Sequence, residues 1–229
     1  MQLASNNRKF PSCLLSDCDG VIVDSEKIAD EIMHEVLHEV FKSEALEDHM
    51  KDLFGRRVID IILILERRLG IFLSAEQRSF MHMDIDARVA QEAPSMPNVR
   101  EVYESLGLPV GVVSNSAPHR LQLCVRRAGL MDLVGTNVFS GDEVSSPKPA
   151  PDVYLKAARV MGYSPEQCLV IEDSVTGVTA AKAAGMHVLG FLGGSHIRSD
   201  HAEMLSKAGA RKLFNDMNML PQIIQSLNL

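Results

Sequence analysis

The segment Ser16-Asp17-Cys18-Asp19-Gly20-Val21-Ile22-Val23-Asp24-Ser25-Glu26 sets two aspartates two positions apart, directly after a short apolar run and directly before a glycine. Two anionic side chains held that close repel each other unless one is protonated or a cation sits between them. Hard carboxylate oxygens suit Mg²⁺, and a metal between the two would remove the conflict. Taken alone, the Asp-x-Asp pair is also compatible with a strand-end turn, a metal–nucleotide site of a glycosyltransferase or a phosphoryl-transfer site. An EF-hand calcium loop is excluded by spacing. Counted from Asp17, glycine falls at position 4 rather than 6, position 5 is Val21 and position 12 is Ile28.

Three more polar groups stand where apolar runs end. Ser114-Asn115-Ser116 follows PVGVVS and leads to Pro118 near a helix start, so a hydroxyl and free backbone amides can hold phosphate oxygens. Ser146-Pro147-Lys148-Pro149-Ala150-Pro151-Asp152 fixes a lone lysine among prolines, and Glu172-Asp173-Ser174 follows CLVI. Singly, Ser116 reads as a helix cap, Lys148 as solvated surface, and Glu172 and Asp173 as charges at a helix N-terminus. Jointly they read as one site, because an open α/β sheet gathers its ligands at the carboxyl ends of its strands.

The elements needed to bring these groups together are visible as patterns. Short apolar runs at 12–16, 109–114, 136–140, 167–172 and 186–193 alternate with helical stretches, which predicts a Rossmann-like parallel sheet with helices on both faces. Helices are predicted from Pro118 to Ala128, Pro151 to Met161 and Ser174 to Ala184, each followed by glycine. Residues 25–92 differ, offering amphipathic helices without strands. One stripe is Ile28, Ile32, Val36 and Val40 with Met33 and Leu37; a second is Val58, Ile61, Ile62, Leu65 and Leu69. The expected division is therefore a core of 1–24 and 93–229 interrupted by an all-α cap of 25–92, with Ala93-Pro94-Ser95-Met96-Pro97 as the return linker.

Composition narrows the function. The 229 residues carry 23 Lys+Arg against 30 Asp+Glu, a formal charge of −7, which argues against a general grip on nucleic acid or an anionic membrane. No apolar run approaches the ~20 residues of a membrane span, and MQLASNNRKF is polar rather than signal-like, so a cytoplasmic chain is expected. Cysteines 13, 18, 124 and 168 show no CxxC pairing; reduced structural thiols are expected rather than a zinc site.

In DCDGVIVDSE, SNS, the lysine of SPKPAPD and IEDSVTGVTAAKAAGM, the chain resembles the haloacid dehalogenase-like hydrolase superfamily, in the phosphatase and β-phosphoglucomutase-like branch with a helical cap inserted after the first motif. The resemblance covers nearly the whole chain. It implies that Asp17 is the nucleophile, forming a phospho-aspartate, and that Asp19 protonates the leaving alcohol and then activates water. It further implies that Asp17, Asp173 and the main-chain carbonyl of Asp19 hold Mg²⁺, with Glu172 nearby, while Ser114, Asn115 and Lys148 bind the transferring phosphate. The superfamily's dehalogenases lack the second aspartate, so Asp19 favours a phosphate ester over a haloacid.

The resemblance also places a Gly-Arg loop of the cap over the active site, which makes Arg56 and then Arg57 the expected contacts to the leaving group. His196, in FLGGSHI after the last strand pattern, lies on the same edge of the sheet and is a further candidate contact to the leaving group, although a loop-capping or surface role is the preferred reading for it, as for His119 and His201. Mutases of the family carry a histidine in the first cap segment where this chain has Ala29, and His34 is about one and a half turns further on, towards another face. The leading expectation is a Mg²⁺-dependent phosphatase for small phosphorylated metabolites such as sugar phosphates, phosphogluconate or phosphoglycolate, working as a monomer or weak homodimer without nucleic acid or membrane partners. A phosphomutase is the alternative, and a non-catalytic phosphate-binding or regulatory protein a weaker one.

Overall fold

In the computed structural model, residues 10–50, 53 and 58–227 are described. The backbone divides into two compact units, one of the residues up to Asp24 together with Pro94 onward, the other Ser25–Ala93.

In the first unit, β1 (Cys13–Ser16) is an unbroken run of buried residues, as a central parallel strand covered on both faces requires. After the helical unit, whose helices α1 to α4 are given below, come α5 (Val99–Leu106), β2 (Val110–Ser114), α6 (Pro118–Arg127), α7 (Met131–Val134), β3 (Val138–Ser140) and α8 (Asp152–Met161). The chain continues through β4 (Cys168–Glu172), α9 (Val175–Ala183), β5 (His187–Phe191), α10 (His201–Ala208), β6 (Lys212–Phe214) and α11 (Leu220–Gln225). The strands form one six-stranded sheet in the order β3-β2-β1-β4-β5-β6, every pairing parallel. This is the expected α/β architecture. Strand order reverses between β1 and β4, the switch point at whose strand ends an open α/β sheet gathers its ligands. The register brings the ends level: Ser16 pairs with Val112 and Ile171, Ser114 with Ser140, and Glu172 with Gly190.

Two connecting segments run side by side. Val23 and Ser95 form an antiparallel bridge, flanked by bonds from Met96 N to the Ile22 carbonyl and from Asp24 N to the Pro94 carbonyl. All four cysteines are free and buried; Cys13 and Cys168, paired across β1 and β4, bring their sulfurs to 3.3 Å.

The second unit holds α1 (Glu26–Phe41), α2 (Leu46–Met50), α3 (Val58–Leu69) and α4 (Ala75–Glu92). Their apolar stripes interlock in one core: Ile32, Met33, Val36, Leu37, Ile61, Ile62 and Leu65 are buried, while Ile28, Val40, Val58 and Leu69 lie at its margin. A capping box between Ser74 and Gln77 starts α4. Glu66 is a charge inside this unit, 3% exposed, and it is satisfied by Arg78 Nη1 at 2.8 Å to both carboxylate oxygens and by the Leu73 amide at 2.8 Å. Arg78→Leu leaves that carboxylate with the amide alone, and is expected to destabilise the fold by about 2–4 kcal/mol. A urea-unfolding midpoint unchanged from wild type would contradict it. No helix among the described residues is long and apolar enough to cross a membrane.

Candidate active site

Asp17 is the first residue beyond β1, its amide bonded to the Ile171 carbonyl of β4 at 2.9 Å. The chain then turns tightly, with the Val21, Ile22 and Val23 amides all directed at the Cys18 carbonyl. Gly20 makes the turn possible. Its φ of +77° is a left-handed conformation, and a Cβ there would lie 1.7 Å from Asp173 Oδ2. The turn thus lets the loops after β1 and β4 touch.

Lys148 joins three elements. Its Nζ donates to Asp17 Oδ1 at 2.9 Å, Glu172 Oε1 at 2.6 Å and the Val113 carbonyl at 2.8 Å, using all three ammonium protons. Asn115 fixes the lysine's backbone: its Oδ1 accepts from Lys148 N and its Nδ2 donates to the Lys148 carbonyl, both at 3.0 Å. Lys148 is 7% exposed. Burial works against its charge, but the carboxylates of Asp17 and Glu172 outweigh burial and hold its pKa well above the ordinary lysine value.

Glu172 is fully buried at the end of β4. Its Oε1 also accepts from Tyr154 Oη at 2.8 Å, and its Oε2 accepts from Ser174 Oγ at 2.9 Å and Ser174 N at 3.2 Å. Ser174 in turn caps α9 through the Gly177 amide. A Cβ on Gly177 would meet Glu172 Oε1 at 1.7 Å, so only glycine lets the first turn of α9 close over this carboxylate.

Asp17, Glu172 and Asp173 bring carboxylate oxygens within 4.8 Å of one another, all buried. Burial first, then the neighbouring Glu172 charge, push Asp17 well above the usual carboxylate range against the opposing pull of Lys148. Burial likewise raises Asp173 to about 6, although His196 opposes it. Lys148 bonds Asp17 and Glu172 while Asp173 faces His196, so three carboxylates gather hard oxygen donors at one place. That donor set fits Mg²⁺.

Asp19 faces other partners. Ser116 Oγ donates to its Oδ2 at 2.7 Å, Ser114 Oγ lies 3.5 Å from the same oxygen, and Arg120 Nη2 donates to Oδ1 at 2.7 Å. Ser114 is 3% exposed and accepts from the Ser116 amide. The two aspartates thus occupy different environments, one with a buried lysine and two acids, the other with hydroxyls and a guanidinium.

The structure brings Asp17, Asp19, Ser114, Asn115, Lys148, Glu172 and Asp173 to one sheet edge. Arg56 and Arg57 lie outside the described residues. Arg120, Ser116's bond to Asp19, and Tyr154 escaped the sequence reading; the only available signal was that Arg120 follows Ser116 by four residues at the start of a helix. His196 and His201 both reach Asp173, His201 by closing on a loop carbonyl, as a loop-capping residue does, and His196 through the carboxylate. His196 Nε2 lies 3.1 Å from Asp173 Oδ2, and His201 Nε2 donates to the Asp173 carbonyl at 2.5 Å.

With this fold and edge in place, a sequence profile of the haloacid dehalogenase-like hydrolases matches residues 11–185, and the chain belongs to that family. It is 26% identical over 192 residues to the bifunctional riboflavin kinase/FMN phosphatase of Arabidopsis thaliana, across 82% of this chain but 50% of that protein, so the chain spans about half the length of that relative. It is 26% identical over 181 residues to the 6-phosphogluconate phosphatase of Escherichia coli K12, across 79% of this chain and 82% of that one. Among solved structures, a HAD family hydrolase from Deinococcus radiodurans R1 with bound phosphate and sodium superposes with a TM-score of 0.73 at 30% identity, covering 94% of this chain and 96% of that one.

Proposed function

We propose that the chain is a Mg²⁺-dependent phosphatase that hydrolyses small phosphorylated metabolites, of the sugar phosphate, phosphogluconate or phosphoglycolate kind, through a phospho-aspartate on Asp17. That it is a phosphatase follows from its family and the named phosphatases among its relatives. The observation that carries the finer reading is the separation of roles between the two aspartates. Asp17, in the grip of Lys148, supplies the attacking carboxylate; Asp19, held by Ser116 and Arg120, hands a proton to the departing alkoxide and takes one from the water that hydrolyses the acyl phosphate.

Asp17, Asp173 and the main-chain carbonyl of Asp19 would hold Mg²⁺, with Glu172 beside them. When bound, the metal offsets repulsion between the attacking carboxylate and the phosphate dianion. Lys148 and the Ser114 hydroxyl stabilise charge on the transferring oxygens, and Asn115 acts by keeping the lysine's backbone in register. Arg56, with Arg57 second, is proposed to contact the organic part of the substrate.

Arg120 sets the resting orientation of Asp19. Arg120→Gln is expected to lower kcat about 10–100-fold with little change in KM, since it misplaces a proton-transfer group without touching the phosphate cradle. A rise in KM at unchanged kcat would assign Arg120 to substrate binding instead.

A panel of phosphorylated metabolites with Mg²⁺, scored for inorganic phosphate, tests the proposal; release that is lost on chelation and restored by Mg²⁺ is the expected result. Ala29, with neither donor nor acceptor, favours hydrolysis over mutase chemistry. With β-glucose 1-phosphate, Mg²⁺ and a trace of glucose 1,6-bisphosphate, free phosphate is expected to dominate. Accumulation of glucose 6-phosphate with little free phosphate would overturn the phosphatase reading.

A further inference from the structure

We propose that His34 and His38 of α1 and Glu47 of α2 form a binding site for a divalent transition metal of the zinc class on the helical unit, in addition to the acidic cluster at the sheet edge. His34 and His38 are four residues apart on a 16-residue helix and so share one face. Glu47 comes to that face because α1 stops at Lys42, which adopts a left-handed conformation and bonds its amide to the His38 carbonyl at 3.1 Å. The chain reverses at once, and Leu46 and Met50 of α2 bury themselves in the core of the unit, leaving Glu47 outward beside the last turns of α1.

One carboxylate oxygen, Glu47 Oε1, lies 3.5 Å from His34 Nδ1 and 2.6 Å from His38 Nε2, and the three donor atoms all fall within 4.8 Å of one another. In a tetrahedral zinc site, with metal–nitrogen and metal–oxygen distances near 2.0–2.2 Å, neighbouring donors stand about 3.4 Å apart. The His34–Glu47 distance already meets that value. The His38–Glu47 distance must open by roughly 0.8 Å, a small rotamer change for side chains 46% and 58% exposed.

The donor chemistry selects the ion. Two imidazoles with one carboxylate suit Zn²⁺, Ni²⁺ or Cu²⁺, whereas Mg²⁺ and Ca²⁺ prefer all-oxygen shells. Three protein donors leave a fourth position for water. The competing account is that Glu47 merely accepts hydrogen bonds from the two imidazoles. The accounts differ in what added metal does: a bound ion ties α1 to α2 and stabilises the folded state, while a hydrogen-bonded trio takes up no ion.

The test is a Zn²⁺ titration of the intact protein against a chromophoric chelator in saturating Mg²⁺, which occupies the acidic cluster, comparing wild type with His38→Gln and Glu47→Gln. Both substituted positions are half-exposed, and the variants' unaltered Mg²⁺-dependent turnover verifies that they fold. The expected result is one zinc equivalent bound by the wild type with an affinity that falls at least about tenfold in each variant, together with a zinc-induced rise in melting temperature confined to the wild type. Equal zinc stoichiometry, affinity and thermal shift in all three proteins would overturn the proposal, as would zinc binding that further Mg²⁺ displaces.

Discussion

Asp17→Asn is expected to abolish phosphate release, with a loss on the order of 10⁴-fold or more, while the protein stays folded. The amide has nearly the volume of the carboxylate but cannot attack phosphorus. The fold stays intact for an electrostatic reason. Asp17 is buried beside Glu172 and Asp173, and burial and the Glu172 charge raise its pKa well above the usual range, so without metal the ionised form is the costly one. A neutral replacement relieves that cost, and Lys148 keeps Glu172 and the Val113 carbonyl as partners. The variant's melting temperature in metal-free buffer is therefore expected to equal or exceed that of the wild type. Mg²⁺ should then raise the wild-type value more than the variant's, since only the wild type offers the full set of carboxylates. Wild-type turnover by the variant would remove Asp17 from the mechanism.

Asp19→Asn is expected to slow turnover about 10²–10⁴-fold, the usual worth of a positioned proton-transfer group. Its neighbours tolerate the change: Arg120 can still donate to the amide oxygen, and the Ser116 hydroxyl can turn from donor to acceptor. The size of the loss should depend on the leaving group. An alkyl phosphate needs a proton on the departing oxygen, whereas an aryl phosphate whose phenoxide leaves unaided does not. Stopped-flow measurement with a nitrophenyl ester should show a burst of nitrophenol followed by slow turnover, because water activation on the acyl phosphate still needs Asp19. An alkyl ester should show no burst. Identical kinetics for the two esters would deny Asp19 the acid role.

The sequence exposes this site where chemistry is written into neighbouring residues at strand exits. Asp17 and Asp19, Ser114 and Asn115, and Glu172 and Asp173 each follow a buried apolar run, and a parallel sheet carries such exits to one edge. The strands at 13–16, 110–114, 138–140, 168–172 and 187–191 were legible for the same reason, being almost wholly buried. The edge strand β6 was not, since three residues with an exposed Lys212 and a half-buried Leu213 carry no pattern. Also invisible were contacts set by side-chain direction across the fold. Arg120 reaches Asp19 over 101 positions, and Tyr154 reaches Glu172 from an interior face of α8 that reads as ordinary core. His196 is placed on this edge by its position after a strand, but its pairing with Asp173 was not legible, because no local spacing encodes the path of that loop. Glu66 was hidden within an apolar stripe, its burial depending on Arg78 from the next helix.

The expected route of phosphate to water passes through the Asp17 carboxylate. Rapid acid quench of the Mg²⁺-loaded enzyme during turnover, followed by borohydride reduction and peptide mass spectrometry, tests it directly. The expected result is an acyl phosphate on the Asp17 carboxyl, whose carbonyl carbon borohydride reduces to give homoserine at that position with release of phosphate, and which is absent from Asp17→Asn. Release of inorganic phosphate in the same samples with no modification at Asp17, or with the phosphoryl group on another residue, would contradict it.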